Sequence, residues 1–321
     1  MPELLKINNL RAYYYTLRGI VKAVDGISLA LNRNEFMSIV GESGCGKSTL
    51  AHAIPRLLRP PGKIVDGDII LENENLTKMN EEKIRKVRGR KIGFVFQDPF
   101  TSLDPLVRIG DQITEVFVEH GITNKDDAKE KAMKLLEEVG MPPDRYKYYP
   151  HQLSGGQRQR AAIAIAIALN PVLLIADEPT TALDVIVQDL IMDLMQSLIN
   201  KGMSIMLITH DIALAAERSN KIAIMYAGEV VELGETKKIT NEPLHPYTSG
   251  LLSSVPDLWS EKEVKSIPGN PPDLIVPPSG CRFHPRCPYV MPLCKEKSPP
   301  KINVDGREVA CWLYSGGKQH E

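Results

Sequence analysis

No apolar run in this chain approaches the ~20 residues that cross a bilayer as a helix; the longest, AAIAIAIAL at 161–169, has nine. That excludes a spanning helix. A surplus of positive charge is also missing. The 39 Lys and Arg stand against 40 Asp and Glu, giving a formal net charge of −1, with none of the clustered basic excess of a nucleic-acid-binding surface. The opening MPELLKINNL lacks both the basic start and the long apolar stretch of a secretory signal, so a cytoplasmic protein is expected. Cysteine is missing from 46 to 280. Cys45 stands alone, and Cys281, Cys287, Cys294 and Cys311 all fall in the last 41 residues. What is present is ordinary for a globular protein: 43% hydrophobic and 25% charged residues. At 321 residues, the chain suggests two domains, or one domain with an appendix.

The stretch FMSIV-GESGCGKST-LAHAI (36–54) carries the strongest chemistry. It reads as a buried strand, a G-x-x-x-x-G-K-[ST] loop and a helix. Gly41, Gly44 and Gly46 let successive N–H groups converge on phosphate oxygens, and the helix N-terminus adds partial positive charge. Lys47 can reach the β- and γ-phosphates, and Ser48 can place its hydroxyl on Mg²⁺. A glycine-rich turn that binds nothing is the bland alternative, and the intact motif in its strand–helix context weighs heavily against it.

Around this loop the chain alternates strands and helices. LLKINNL (4–10) and ISLAL (27–31) read as strands of an N-terminal sheet, with Tyr13, Tyr14 and Tyr15 before a turn; one ring could face a base, or all could be ordinary strand aromatics. DGDIIL (66–71) and KIGFVF (91–96) are further strands. The second ends at Gln97, which would point to a ligand crevice or simply finish the strand. Residues 107–121 and 126–140 have helical spacing, with Gly140 as a stop, and form a block that looks inserted. AIAIAIA alternates like a strand, but alanine is a poor strand former and Ser154 is a good N-cap, so a helix running from Ser154 towards Pro171 is expected, with a second anion site at its start. VLLIADE (172–178) is a buried strand ending in Asp177 and Glu178. Two adjacent acids suit a cation, one holding the metal's water shell and the other acting as a base. A helix (186–199) leads to the strand SIMLITHD, ending at His210, where a structural histidine competes with a γ-phosphate contact. KIAIMYAGEVVELG (221–234) reads as a hairpin around Ala227-Gly228. Beyond Asn241 proline becomes frequent. NEPLHPYT, IPGNPPDL and IVPPSG are expected as turns or extended chain, with a boundary near 235–245.

The motifs GESGCGKST, Gln97, LSGGQ, LLIADE, TALD and His210 arrive in one order, and together they resemble the nucleotide-binding subunit of ABC transporters over residues 3 to about 235. FQDPFTSLDP, LHPYTSGLLSSVP, IPGNPPDL and CRFHPRCPYVMPLC narrow the resemblance to the ATPase subunits of dipeptide/oligopeptide importers, a group that includes nickel importers, and most of all to the dipeptide D-type subunit. The resemblance implies an α/β phosphate-loop core with a mixed sheet, an antiparallel β subdomain and a helical subdomain at about 98–165, within a domain of 1–240. A small irregular Cys/Pro-rich domain of 241–321 follows.

It implies ATP and Mg²⁺ at the Walker A loop of Gly41, Ser43, Gly44, Cys45, Gly46, Lys47, Ser48 and Thr49, with Gln97 and Asp177 on the metal, Glu178 as general base and His210 on the γ-phosphate. The signature with Ser154 and Gly156 would serve ATP held by an opposite subunit, with Asp184 beside it. Tyr14 best matches the adenine-stacking aromatic. Thr181 stands where the family often has serine. One chain holds one Walker set and one signature, so the expected partners are a second, related ATPase, two membrane permease subunits and an extracytoplasmic binding protein, at the cytoplasmic face of the membrane. The implied function is an ATPase driving peptide import. The alternatives are a soluble ABC ATPase of nucleic-acid repair or translation, and a nickel or oligosaccharide importer subunit.

The cysteine spacing C-x₅-C-x₆-C-x₁₆-C decides nothing by itself. Disulfides are disfavoured in the cytosol, zinc usually has a close C-x₂₋₄-C pair, and common ferredoxin spacings are tighter. The resemblance, through C-x-F-H-P-R-C-P, implies a [4Fe–4S] cluster on Cys281, Cys287, Cys294 and Cys311, with zinc second. His284 is expected to be structural, and Arg282 and Arg286 to balance the thiolates.

Overall fold

The computed structural model describes residues 2–98, 102–255 and 266–315. Pro99, Phe100 and Thr101 of FQDPFTSLDP and Pro256 of LHPYTSGLLSSVP lie outside them. Contacts between residues divide the chain into two compact units, one of 33–35 and 79–207, the other of 2–32, 36–78 and 208 onwards.

In the second of these units, β1 (Glu3–Thr16) and β2 (Gly19–Asn32) form an antiparallel hairpin. Leu5, Ile7, Leu10 and Ala12 are buried while Lys6 and Asn9 are not, the alternation of a half-buried strand. β4 (Gly62–Leu71) and β5 (Glu74–Asn75) complete a four-stranded antiparallel sheet in the order β2-β1-β4-β5. A second sheet is built on β3 (Phe36–Val40), whose five residues are all buried. Its neighbour β9 (Lys221–Tyr226) runs parallel to it, with Ser38 opposite Ile222. Ala227 and Gly228, both at positive φ, turn the chain into β10 (Glu229–Glu235) as a tight hairpin. β12 (Arg307–Ala310) pairs with β10, and β11 (Lys301–Val304) pairs with β12. The helices of this unit are α1 (Lys47–Ala53), α7 (Ile212–Arg218), α8 (Thr236–Asn241), α9 (Pro246–Ser253) and the short α10 (Pro292–Glu296).

A hydrophobic core joins β3, β9, β10, α7, α8 and α9 to the segment after 266. It gathers Val40, Ile222, Ile224 and Tyr226 with Tyr247, Leu251, Leu274 and Phe283. The Tyr226 ring lies 4.6 Å from that of Tyr247 and 5.1 Å from Phe283. Each fully buried aromatic or aliphatic side chain contributes about 1.5–3 kcal/mol, so the proline-rich segment is attached by apolar packing. It is also more regular than its composition predicts. NEPLHPYT, expected as turn or extended chain, starts α9 at Pro246. Proline fits the first helical position, where its missing N–H has no partner to lose, and the His245 ring accepts the Tyr247 N–H at 3.1 Å as a cap.

In the other unit, β6 (Ile92–Val95) and β7 (Leu173–Asp177) pair in parallel, and β8 (Ser204–Thr209), next in order, begins in this unit and runs past its end at 207. Its helices with described bounds include α2 (Glu81–Val87), α3 (Ile109–Glu119), α4 (Lys125–Glu138), α5 (Gly155–Ile167) and α6 (Val185–Asn200). The alternating AIAIAIA segment is helical, as the Ser154 cap argues. The helix ends at Ile167, short of Pro171.

Candidate functional site: a phosphate loop and a carboxylate strand end

The loop between β3 and α1 is shaped by close backbone approaches. A Cβ on Gly46 would meet the Ala23 carbonyl oxygen at 1.8 Å, and its φ of +104° suits glycine. A Cβ on Gly41 would lie 2.1 Å from the Met225 carbonyl oxygen. Lys47 is 4% exposed. Its Nζ donates to the carbonyls of Gly41 at 2.8 Å and Glu42 at 3.0 Å, so the ammonium sits across the loop's own turn. Ser43 and Gly44 are exposed at the tip. Cys45 is buried, and burial pushes its thiol up against the opposing pull of Lys47. The Cys45 carbonyl accepts the Gly228 N–H at 2.8 Å, tying the loop to the β9–β10 hairpin. Ser48 and Thr49 begin α1 as half-buried residues.

The three tyrosines separate. Tyr13 donates to Asp25 at 2.7 Å and belongs to a polar cluster with Arg11. Tyr15 is exposed, with Lys63 over its ring. Tyr14 packs over Gly62 and places its hydroxyl 3.4 Å from Thr49 Oγ1, beside the phosphate loop. His210 is exposed directly after β8, next to Asp211, which caps α7.

In the unit of 79–207, β7 ends in Asp177, 1% exposed, and Glu178, half-buried with φ +46°. A left-handed backbone at a non-glycine residue is uncommon and collects at functional positions. The Glu178 carboxylate accepts from the Gln97 amide at 3.1 Å and from the Thr181 hydroxyl at 3.1 Å. The structure thus brings together Gln97 and Glu178, and adds Thr181, which the sequence shows only as a minor departure. Ser154 caps α5 in a reciprocal pair with Gln157: its hydroxyl accepts the Gln157 N–H and its own N–H donates to the Gln157 side chain. Gly156 leaves no room for a side chain, since a Cβ would reach Val187 at 2.5 Å. Asp184 caps α6.

The cysteine expectation is corrected. Among the described residues, no group of three or more His, Cys, Asp or Glu side chains stands where it could hold a metal ion. The [4Fe–4S] cluster on Cys281, Cys287, Cys294 and Cys311 is therefore overturned, and the zinc alternative falls with it. The physical reason is placement: closeness along the chain does not by itself bring three such side chains onto one metal position. Burial separately pushes the Cys281 thiol up to about 12 and Cys311 up to about 11, and it raises Cys287. Cys294 and Cys311 are buried, and all five cysteines are free thiols. Arg282 and Arg286 do not serve thiolates either. Arg282 donates to the Ala227 carbonyl at 2.5 Å and pairs with Asp25 and Glu229. Arg286 pairs with Glu42. No local sequence signal announces that second pair, whose members are 244 positions apart.

A glycine-rich loop with a buried lysine at a strand–helix junction, and a buried strand ending in Asp-Glu, define a phosphate-loop nucleoside triphosphatase. Comparisons narrow this. Residues 24–181 match the ABC transporter family model, and 231–294 match the oligopeptide/dipeptide transporter C-terminal region. The oligopeptide transport ATP-binding protein OppD of Bacillus subtilis is 46% identical over 98% of this chain and 89% of its own length. The dipeptide transport ATP-binding protein DppD of the same organism is 43% identical over 100% of this chain and 97% of its own. A dimeric, post-hydrolysis structure of the ATP-binding cassette MJ0796 bound to ADP and Pi superposes with a TM-score of 0.66 at 31% identity, covering 73% of this chain and 99% of that one. The chain belongs to the ATP-hydrolysing ABC transporter ATPases that carry the oligopeptide/dipeptide-transporter C-terminal region. No helix among the described residues is long and apolar enough to cross a membrane.

Proposed function

We propose that this chain hydrolyses ATP to drive uptake of di- and oligopeptides through separate membrane permease subunits, working at the cytoplasmic face of the membrane. Full-length similarity to named oligopeptide and dipeptide transport ATP-binding proteins carries the reading. Residues 41–49 bind the triphosphate, with converging N–H groups and Lys47 meeting its negative charge. The donor set fits Mg²⁺: Ser48, Gln97 and Asp177 offer hard oxygens, and a carboxylate as buried as Asp177 suits a cation. When bound, the metal supplies charge neutralisation at the phosphate oxygens. Glu178, held by Gln97 and Thr181, orients and deprotonates the attacking water. His210 contacts the γ-phosphate and Tyr14 stacks on adenine. The signature at 153–157, with Ser154 and Gly156, completes the site of a second ATPase subunit, with Asp184 at that interface. The partner is a related chain, and an extracytoplasmic protein delivers the substrate. The C-terminal segment from 241 forms the second domain of this reading.

The test is uptake of radiolabelled di- and oligopeptides by cells carrying Glu178→Gln in place of the native chain. The variant is expected to bind ATP normally, to lose about 10²–10⁴-fold in hydrolysis, and to abolish peptide uptake. Unchanged peptide uptake with lost nickel or oligosaccharide uptake would overturn the substrate assignment.

A further inference from the structure

Glu42 lies inside the phosphate loop, yet its side chain turns towards the C-terminal segment. Arg286 grips it in a fork: Nη1 donates to Oε2 at 2.6 Å and Nη2 to Oε1 at 2.9 Å. The Glu42 backbone is held as well. Its N–H donates to the Tyr247 hydroxyl at 2.9 Å, and its carbonyl accepts from Lys47 Nζ at 3.0 Å and the Cys45 N–H at 3.3 Å. Arg286 is itself fixed. Its Nε donates to the Pro268 carbonyl at 2.8 Å, its guanidinium lies 5.7 Å from the centre of the Tyr226 ring, and the residue is 7% exposed. Planar, two-pronged pairs of this kind fix geometry as well as charge.

An ordinary attachment of the tail to the core would need neither feature that this pair has. The anchor chosen is a residue of the loop itself, between Gly41 and the Lys47 whose ammonium it receives. And the charge being cancelled is a carboxylate beside the place where a triphosphate binds, where it would otherwise repel the ligand. We propose that Arg286 is a positioning residue of the phosphate loop: by clamping the Glu42 carboxylate and neutralising it, the C-terminal segment sets the loop's affinity for the nucleotide's phosphates. This inference rests on the reading of 41–49 as the ATP site. Its corollary is reciprocal, since a segment that tightens nucleotide binding is itself held more firmly when nucleotide is bound.

The experiment measures Mg-mant-ATP binding by fluorescence, with ATPase KM and kcat and the melting temperature, on the purified full chain and on Arg286→Gln, Arg286→Lys, Lys47→Ala, Glu42→Gln and the Glu42→Gln/Arg286→Gln double variant. Arg286→Gln is expected to weaken nucleotide binding about tenfold, a loss of about 1.4 kcal/mol, with the defect in KM and little change in kcat. Arg286→Lys keeps the charge without the fork and is expected to fall between. The double variant is expected to lose less than the product of the singles, because both remove one clamp. If Arg286→Gln binds as tightly as wild type and only melts lower, the pair is structural and the inference is overturned. Should Arg286→Gln fail to fold, Arg286→Lys decides: wild-type affinity overturns the inference, reduced affinity at unchanged kcat supports it. A wild-type chain that binds no nucleotide, or a Lys47→Ala variant that binds equally well, overturns the ATP reading and this inference together. Binding lost in Lys47→Ala but kept in Arg286→Gln overturns this inference alone.

Discussion

Replacing Gly46 with alanine would set a methyl group 1.8 Å from the Ala23 carbonyl oxygen and 2.8 Å from Met225 Cε, on a backbone at φ +104°. Two costs add. A non-glycine residue in such a sparsely populated region is strained by about 1–3 kcal/mol, and overpacking against neighbours costs a further ~1–3 kcal/mol. Gly44 supplies an internal control. Its φ is +77°, but a Cβ there meets nothing within 4 Å, so Gly44→Ala carries the strain alone, about 1–2 kcal/mol. The two substitutions are chemically identical, lie two positions apart in one loop and differ in the space available. Urea unfolding of the nucleotide-free chains should therefore show Gly46→Ala losing about 2–6 kcal/mol, well beyond Gly44→Ala. Nucleotide binding should fall furthest in Gly46→Ala, because backbone relief must displace the residue that precedes Lys47 and α1. A Gly44→Ala chain as destabilised as Gly46→Ala would refute the reasoning, since backbone strain and not the approach of Ala23 would then govern the loop.

Phe283→Ala removes a ring packed within 5.1 Å of Tyr226, 5.4 Å of Tyr247 and 5.7 Å of His245; a loss of about 3–5 kcal/mol in calorimetric stability is expected. His245 is 1% exposed, and burial lowers its pKa from 6.5 to about 3. The unfolded chain then binds a proton more readily than the folded one between those values, so this residue's stabilising contribution is complete above pH 6.5 and is lost on acidification towards 3. The expected slope is about 1.4 kcal/mol per pH unit near pH 5, and His245→Gln should flatten that part of the stability–pH curve. Cys281, pushed up to about 12 by burial, should alkylate slowly at pH 8, with a rate still climbing above pH 10; mass-spectrometric labelling that levels off near pH 9 would contradict the burial argument.

The parts of this protein that could be read from its sequence are those whose chemistry is local. The strand–loop–helix of 36–53 is contiguous, and its glycines and lysine are spaced by the ligand they serve. The helix of 155–167 was legible against its own strand-like alternation, because Ser154 is a cap and alanine disfavours strands. The β9–β10 hairpin followed from Ala227-Gly228. What stayed hidden depends on distant partners. Nothing near Arg286 points to Glu42, and nothing near Phe283 points to Tyr226, because tertiary packing alone joins them. The cysteines misled for a related reason. Their clustering along the chain suggested a shared ligand, whereas tertiary packing decides which side chains meet, and no metal-holding group forms among the described residues. The helix at Pro246 was missed because prolines were read as breakers, although the first helical turn accepts one.

The pairing of β12 with β10 has a consequence for truncation. Without 301–310, the flank of β10 that faces Val309 and Glu308 would become an open row of backbone donors and acceptors on a strand whose Val230, Val231 and Leu233 are buried in the native fold. Exposed strand flanks recruit other chains. The terminal hairpin instead presents β11 outermost, a four-residue strand with Lys301 and Asn303 exposed, short and polar enough to end the sheet without inviting another copy to continue it.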